Sequence, residues 1–322
     1  MLEIAEGAAL AAARLKTSLL AVVGPTASGK TDLALELARR LGGEILSADM
    51  GQLYKLLDAG TAKPVGKMSA LPDGREVNLV EGIPYHLTDV LDPSESTDAG
   101  RYAQLARPVL EDLLRRGKTA IVCGGTGFYV RALIEGLPPL PKSDESVRAR
   151  LRARAQAEGA AALHEELLRK DPQAADRIPA SNLQRVLRAL EVLESTGRTF
   201  SSFRDEKPSQ KMEASYIGIE HSAAELRERI RLRAADMFPR MISEVRALVP
   251  SRFRGDEPGF RCLGYPEALA CAQGRLSQEE GLARMVQTSA AYAKRQRTWF
   301  RHQANVRWIE PKSLPDFLEN YR

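Results

Sequence analysis

An α/β fold, a parallel sheet flanked by helices and interrupted by a small all-helical insertion, is what three features of this 322-residue sequence predict. Short apolar runs that read as buried strands alternate with stretches at helical spacing. The first strand, loop and helix carry a phosphate-binding pattern. A proline-rich break, LPPLP at Leu137 to Pro141, is followed by sequence rich in Ala, Glu, Leu and Arg without strand-like runs. We therefore expect a core segment at 1–138, a helical insertion at 139–205 and a second core segment at 206–322. With 43% hydrophobic residues, such a chain can bury a sizeable core.

The first sixteen residues, MLEIAEGAALAAARLK, place Glu3 and Glu6 where a secretory leader is basic, and no apolar run approaches membrane-spanning length. Three cysteines, Cys123, Cys262 and Cys271, are too few and too irregularly spaced for a disulfide framework or a four-ligand zinc site, so a cytoplasmic setting is expected. Lys and Arg total 47 against 42 Asp and Glu, a net charge of +5 that suits a polyanionic partner without requiring one.

Ser18 to Val23 reads as the first buried strand and Thr31 to Leu41 as the first helix, stopped by Gly42 and Gly43. Between them, Gly24, four residues, then Gly29-Lys30-Thr31 form the phosphate-loop pattern. Its backbone N–H groups cradle phosphate oxygens, while the lysine and the hydroxyl serve the terminal phosphate and a magnesium ion. The fold expected is thus P-loop NTPase-like. Glu44 to Ala48 is the next strand, which sets Asp49 at its carboxyl end beside the loop. That carboxylate would bind magnesium through water, act as a general base, or cap a following turn.

Asp98 caps a helix running to Gly117 and bent at Pro108, and Thr119 to Cys123 is a strand feeding the glycine-rich GGTGFY at Gly124 to Tyr129. That motif alone is compatible with a plain tight turn. In the insertion, Arg148, Arg150, Arg152 and Arg154 alternate and cannot share one helix face, which favours a solvated surface over nucleic-acid contact. Ser181 to Thr196 repeats Val186, Leu187, Leu190 and Leu193 at helical spacing. Strand character returns at Tyr216 to Ile219, followed by a long helix, Ala223 to Leu248, carrying Arg227, Arg229, Arg231 and Arg233. Ser277 and Glu280 make a capping box for a last long helix. There Lys294, Arg297 and Arg301 lie on one side, interleaved with Tyr292, Trp299 and Phe300. Core aromatics in an amphipathic helix, or stacking on single-stranded nucleic acid, would both give that pattern.

Taken serially, GPTASGKT, SADMGQLY, DAGTAKP, YHLTDVLDP, GGTGFY, QRVLRALEV, LGYPEAL and AKRQRTWFR resemble the motifs of the tRNA dimethylallyltransferases, in family order and over nearly the whole chain. The resemblance implies transfer of an isopentenyl group from dimethylallyl diphosphate to the exocyclic amine of the adenosine 3′ of the anticodon. Gly24, Thr26, Ala27, Ser28, Gly29, Lys30 and Thr31 would then hold the diphosphate of the prenyl donor, with Mg²⁺ on Thr31. Asp49 would be the general base, acting with Lys30 and Thr31. Gln52, Arg185, Lys294, Arg295, Gln296 and Arg297 would contact tRNA, whose anticodon arm lies against the insertion and the carboxyl-terminal helices of a monomer. Met50 and Gly51 stand where the family usually has Ser and Met. Ala223 stands where it commonly places a diphosphate-binding arginine, with Arg227 or Arg229 the substitutes one turn on. A P-loop kinase, or an RNA-binding relative without transferase activity, are the alternative readings.

Overall fold

The computed structural model describes residues 18–71, 74–204, 206 and 211–320. The amino-terminal segment read above as lacking a leader lies outside the described residues. Two compact units emerge: one comprises Met1–Ile134 with Met212–Arg322, the other Glu135–Lys211, a few residues wider at each end than the expected insertion.

In the first unit, β1 (Leu19–Val23) leads into α1 (Lys30–Leu41), β2 (Glu44–Ser47), β3 (Lys67–Ala70), β4 (Glu76–Val80), β5 (Ile83–His86), α2 (Ala99–Arg115), β6 (Ala120–Gly124) and α3 (Gly127–Ile134). The second unit holds α4 (Glu145–Lys170), α5 (Pro172–Arg177), α6 (Leu183–Thr196) and α7 (Phe200–Arg204). The chain then returns to the first unit through β7 (Ser215–Ile219), α8 (Ala223–Leu248), α9 (Tyr265–Ala272), α10 (Gln278–Gln303), β8 (Val306–Ile309) and α11 (Leu314–Glu319).

The strands form one sheet in the order β3-β4-β5-β2-β6-β1-β7-β8. Every residue of β1, β2 and β6 is buried, which explains their continuous apolar character apart from Glu44 and Ser47. Leu20, Val22, Ile45 and Ile121 pack with Leu33, Leu37 and Ala38 of α1 in the principal core. Glu44 is tolerated at a buried position because His86 and Arg116 hydrogen-bond its two oxygens at 2.7–3.2 Å. Burial pushes its carboxyl up, but those partners outweigh burial and hold it at about 2.

The six strands β5-β2-β6-β1-β7-β8 pair in parallel as expected, and β3 and β4 add an antiparallel edge that was not expected, so the sheet is mixed. β3 to β5 run antiparallel because their connections are too short for a crossover. Glu81 and Gly82, both at positive φ (50° and 81°), make the two-residue hairpin between β4 and β5. Elsewhere local signals translate directly. Asp98 accepts from the Arg101 N–H at 2.8 Å to start α2, which accommodates Pro108, and Ser277 with Glu280 closes the capping box of α10.

Inside the helical unit, Leu151, Leu163, Leu167, Val186 and Leu190 form a separate core. Glu191 is buried beside it and accepts from Ser143 Oγ, the Asp144 N–H and Arg188 at 2.7–2.8 Å. The four alternating arginines are each ion-paired: Arg148 with Glu191, Arg150 with Glu194, Arg152 with Glu145, and Arg154 with Glu158 and Glu166. They brace the surface of this unit.

Candidate active site

Parallel pairing sets Val23 opposite Gly124 and Ser47 opposite Cys123, so β1, β6 and β2 end together. Their following loops, 24–29, 124–126 and 48–51, meet at the carboxyl edge where open α/β sheets bind ligands. The Ala48 N–H donates to Cys123 O at 2.8 Å and the Thr126 N–H to Ala48 O at 3.2 Å, tying two of these loops directly.

The phosphate loop is held from behind. Ala27 sits at φ 63°, unusual for a residue with a side chain, and packs with Leu226, Ile230 and Ala293. Arg229 Nε donates to its carbonyl at 2.7 Å, and His221 Nε2 donates to the Ser28 carbonyl at 2.9 Å. Lys30 Nζ donates to Pro25 O at 3.3 Å. Ser28 Oγ is buried with no hydrogen-bond partner among the described residues, an orphaned donor inside a loop built for anions.

Asp49 caps the short turn that follows, its Oδ1 accepting from the Gly51 N–H at 3.0 Å. Capping does not exhaust it, because its charge also acts on Lys30, Arg233 and Tyr292. Burial lowers the affinity of Lys30 for its proton; Asp49 opposes that shift and Arg233 adds to it. Burial likewise lowers Arg233 from the ordinary arginine range, again opposed by Asp49 and reinforced by Arg229. Arg233 thus makes the charge on Lys30 costlier and Arg229, itself exposed, makes that on Arg233 costlier, while Asp49 favours both Lys30 and Arg233. A polyanion at the loop would relieve that repulsion, which makes the cluster a candidate ligand site.

Gln52 and Gln296, expected to contact RNA, are both buried and hydrogen-bonded within the protein. Gln52 is buried, accepting from Ser47 Oγ at 2.7 Å and donating to Ala62 O at 3.2 Å. Gln296 is 5% exposed; its Oε1 accepts from the Thr26 N–H at 2.8 Å and its Nε2 donates to Gly125 O at 2.9 Å. It clamps the phosphate loop to the GGTGFY loop, and a Cβ on Gly125 would sit 2.1 Å from its Nε2. Arg297 pairs with Glu220 at 3.1 Å, which Arg301 also reaches at 2.9 Å. Lys294 and Arg295 are exposed on α10, with Arg295 over the Tyr292 ring, and Arg185 is exposed on α6 of the helical unit.

Arg233 is the functional candidate that sequence reading missed, and Arg229 the one it undervalued. Their i, i+4 spacing beside the buried stripe Leu226, Ile230, Ala234 was the available signal. Arg227, the other substitute considered, is exposed like Arg229 but lies on a different face, and only Arg229 of the two bonds the loop.

Replacing Gln296 by Ala is expected to lower stability by ~1–3 kcal/mol, since a buried N–H and C=O lose their partner. A thermal melt with a parallel tRNA titration checks this. Unchanged stability with weakened tRNA binding would restore the RNA-contact role.

Thr31 and Asp49 offer hard oxygen donors of the kind magnesium takes. Cys123 lies close to both, and burial pushes its thiol up to about 11. No group of three or more His, Cys, Asp or Glu among the described residues makes a cage for a metal. The donor set therefore fits an ion completed by substrate phosphates and water, as Mg²⁺ usually is.

Comparison with known proteins matches residues 52–303 to the family model described as IPP transferase and residues 17–75 to one described as isopentenyl transferase. A tRNA dimethylallyltransferase of Anaeromyxobacter dehalogenans is 42% identical over 93% of this chain and 97% of its own length. That of Elusimicrobium minutum is 40% identical over 88% of the chain and 92% of its own length. Among solved structures, the full-length tRNA isopentenylpyrophosphate transferase of Bacillus halodurans superposes with a TM-score of 0.65 at 34% identity, covering 94% of both chains.

Proposed function

The chain belongs to the tRNA dimethylallyltransferase family and transfers a dimethylallyl group to tRNA; from that premise we propose that the donor's diphosphate lies in the 24–31 loop and that the acceptor is N6 of the adenosine 3′-adjacent to the anticodon. One observation carries this reading: the cluster of Lys30, Arg229 and Arg233 around a loop with an unpartnered Ser28 hydroxyl, set beside the carboxylate of Asp49.

The loop N–H groups, Lys30, Thr31, Arg229 and Arg233 bind and orient the diphosphate and stabilise the charge that grows on it as its bond to C1 of the prenyl group breaks. Thr31 would help to hold a Mg²⁺ ion, whose charge would offset part of that growing on the diphosphate. Ile230, Met237, Leu263 and Met285 line a narrow cavity beside Thr26 and Arg233, an apolar setting for the five-carbon chain. As N6 bonds to C1, diphosphate departs with the electron pair and the N6 proton passes to Asp49. Tyr292, whose phenol burial pushes up to about 12, stays protonated near Asp49, with Thr126 and Gln296 beside it. An adenine stacked in an anticodon loop cannot reach this edge, so it is extruded, at a cost of a few kcal/mol that binding elsewhere on the tRNA offsets.

Among the described residues no helix is long and apolar enough to cross a membrane, and the three cysteines are free and buried. Together with a tRNA substrate this supports a cytoplasmic enzyme. Incubation with dimethylallyl diphosphate, Mg²⁺ and unmodified tRNA carrying that adenosine should yield isopentenyladenosine on nucleoside mass spectrometry. Absence of product alongside measurable tRNA binding would instead favour an RNA-binding relative without transfer.

A further inference from the structure

Phe128 is the second residue of helix α3, just after the loop that faces Asp49, yet it is 46% exposed, unlike Tyr129 and Val130, which are buried. A large apolar ring left open this close to a reaction centre has no role in the core. Its surroundings point to a ligand. The Arg131 guanidinium lies 4.8 Å from the centre of the Phe128 ring and 5.9 Å from that of Trp299, and it hydrogen-bonds Gln303 at 3.4 Å. Trp299 in turn packs on Gly127, where an added Cβ would fall 2.2 Å from the indole. One turn back along α10, Arg295 lies over the Tyr292 ring at 5.6 Å.

Aromatic rings and guanidinium planes thus alternate from Phe128 through Arg131 and Trp299 to Arg295 and Tyr292. Single-stranded nucleic acid is bound on such surfaces, because every base has a π-face and every nucleotide a phosphate. Register with the active site is set by Thr126, two residues before Phe128, whose Oγ1 accepts from the Met50 N–H at 3.3 Å next to Asp49.

We propose that Phe128, flanked by Arg131, is a base-contact residue that stacks on an unpaired nucleobase of the tRNA anticodon loop adjacent to the extruded acceptor. The stack replaces a neighbour that the adjacent base loses when the acceptor adenine leaves the loop, and so offsets part of the cost of extrusion. The inference rests on the proposed acceptor site and adds the group that holds the loop open there.

The test compares Phe128→Ala, Phe128→Leu and Phe128→Tyr in steady-state transfer, varying tRNA at saturating donor and donor at saturating tRNA. Stacking predicts that Phe128→Ala and Phe128→Leu raise the KM for tRNA by about 5- to 150-fold, the range that loss of one base–aromatic stack spans. The KM for dimethylallyl diphosphate should stay within twofold, and Phe128→Tyr should restore tRNA KM to near the parent value. A tRNA carrying 2-aminopurine next to the acceptor position provides a readout independent of turnover: its fluorescence should be quenched on binding the parent and Phe128→Tyr proteins but not Phe128→Ala. Full activity in Phe128→Leu, or equal quenching by all variants, would overturn the proposal. If the parent protein made no isopentenyladenosine while the quenching pattern held, the acceptor-site reading would fail and the stacking surface would stand.

Discussion

Substituting Asp49 by Asn is expected to slow dimethylallyl transfer by roughly 10²- to 10⁴-fold, the range that general-base assistance contributes, while tRNA affinity changes by less than about twofold. Asn keeps the size of the side chain and an oxygen able to accept from the Gly51 N–H, the bond that caps the turn at 51–53. It removes only the ability to take the N6 proton and the negative charge felt by Lys30 and Arg233. Single-turnover transfer and a filter-binding titration on the same preparation separate the two effects. Parallel losses of rate and tRNA affinity would mean that Asp49 organises the loop rather than accepts the proton. Because the carboxylate also opposes the shifts on two cations, the variant should bind inorganic diphosphate no more weakly than the parent. A sharp loss of diphosphate affinity would point to magnesium ligation as its main task.

Replacing Arg233 by Met should cut kcat/KM for the prenyl donor by about 10- to 150-fold, equivalent to the ~1.5–3 kcal/mol of a hydrogen bond to a charged group. Methionine preserves the packing of the side-chain stem beside Met237, where Arg233 Nε now donates to the sulfur at 3.3 Å. The deficit should lie on the donor side, with tRNA KM unaffected. Arg227→Met is the matched control: it removes a cation from the same helix on an exposed face and should leave both constants near the parent values. Equal effects of the two substitutions would reduce the role of Arg233 to a general contribution to the field. The physical distinction is burial, since a cation held partly out of water beside two others is poised to gain from a bound anion, whereas an exposed one is screened.

The phosphate loop, the strand before it and the helix after it were legible because each signal is contained within about ten residues. So were the cap at Asp98 and the capping box at Ser277 and Glu280. Asp49 was placed beside the loop by a rule about where strands end, and the open choice between turn cap and reactive carboxylate ended in a structure where it caps the turn and also faces the cations. The antiparallel edge was not legible, since the hairpin at Glu81 and Gly82 lies between Asp49 and Asp98, where no element was read from the sequence.

Charge and chemical type at a position follow directly from the residues, but which neighbour satisfies them depends on chain segments far apart. Gln296 bonds a residue 270 positions away, so nothing within its own helix distinguishes an RNA contact from a buried clamp. Arg297 looked like a free cation until β7 was followed by Glu220, packed beside α10. Arg233 looked like one more arginine in a basic helix, and Arg229 no better a substitute than Arg227, until the sheet set α8 against the phosphate loop. Local propensity and capping depend on interactions a few residues apart and are written along the chain. Burial, pairing and the crowding of cations are properties of the packed state, and packing decided them.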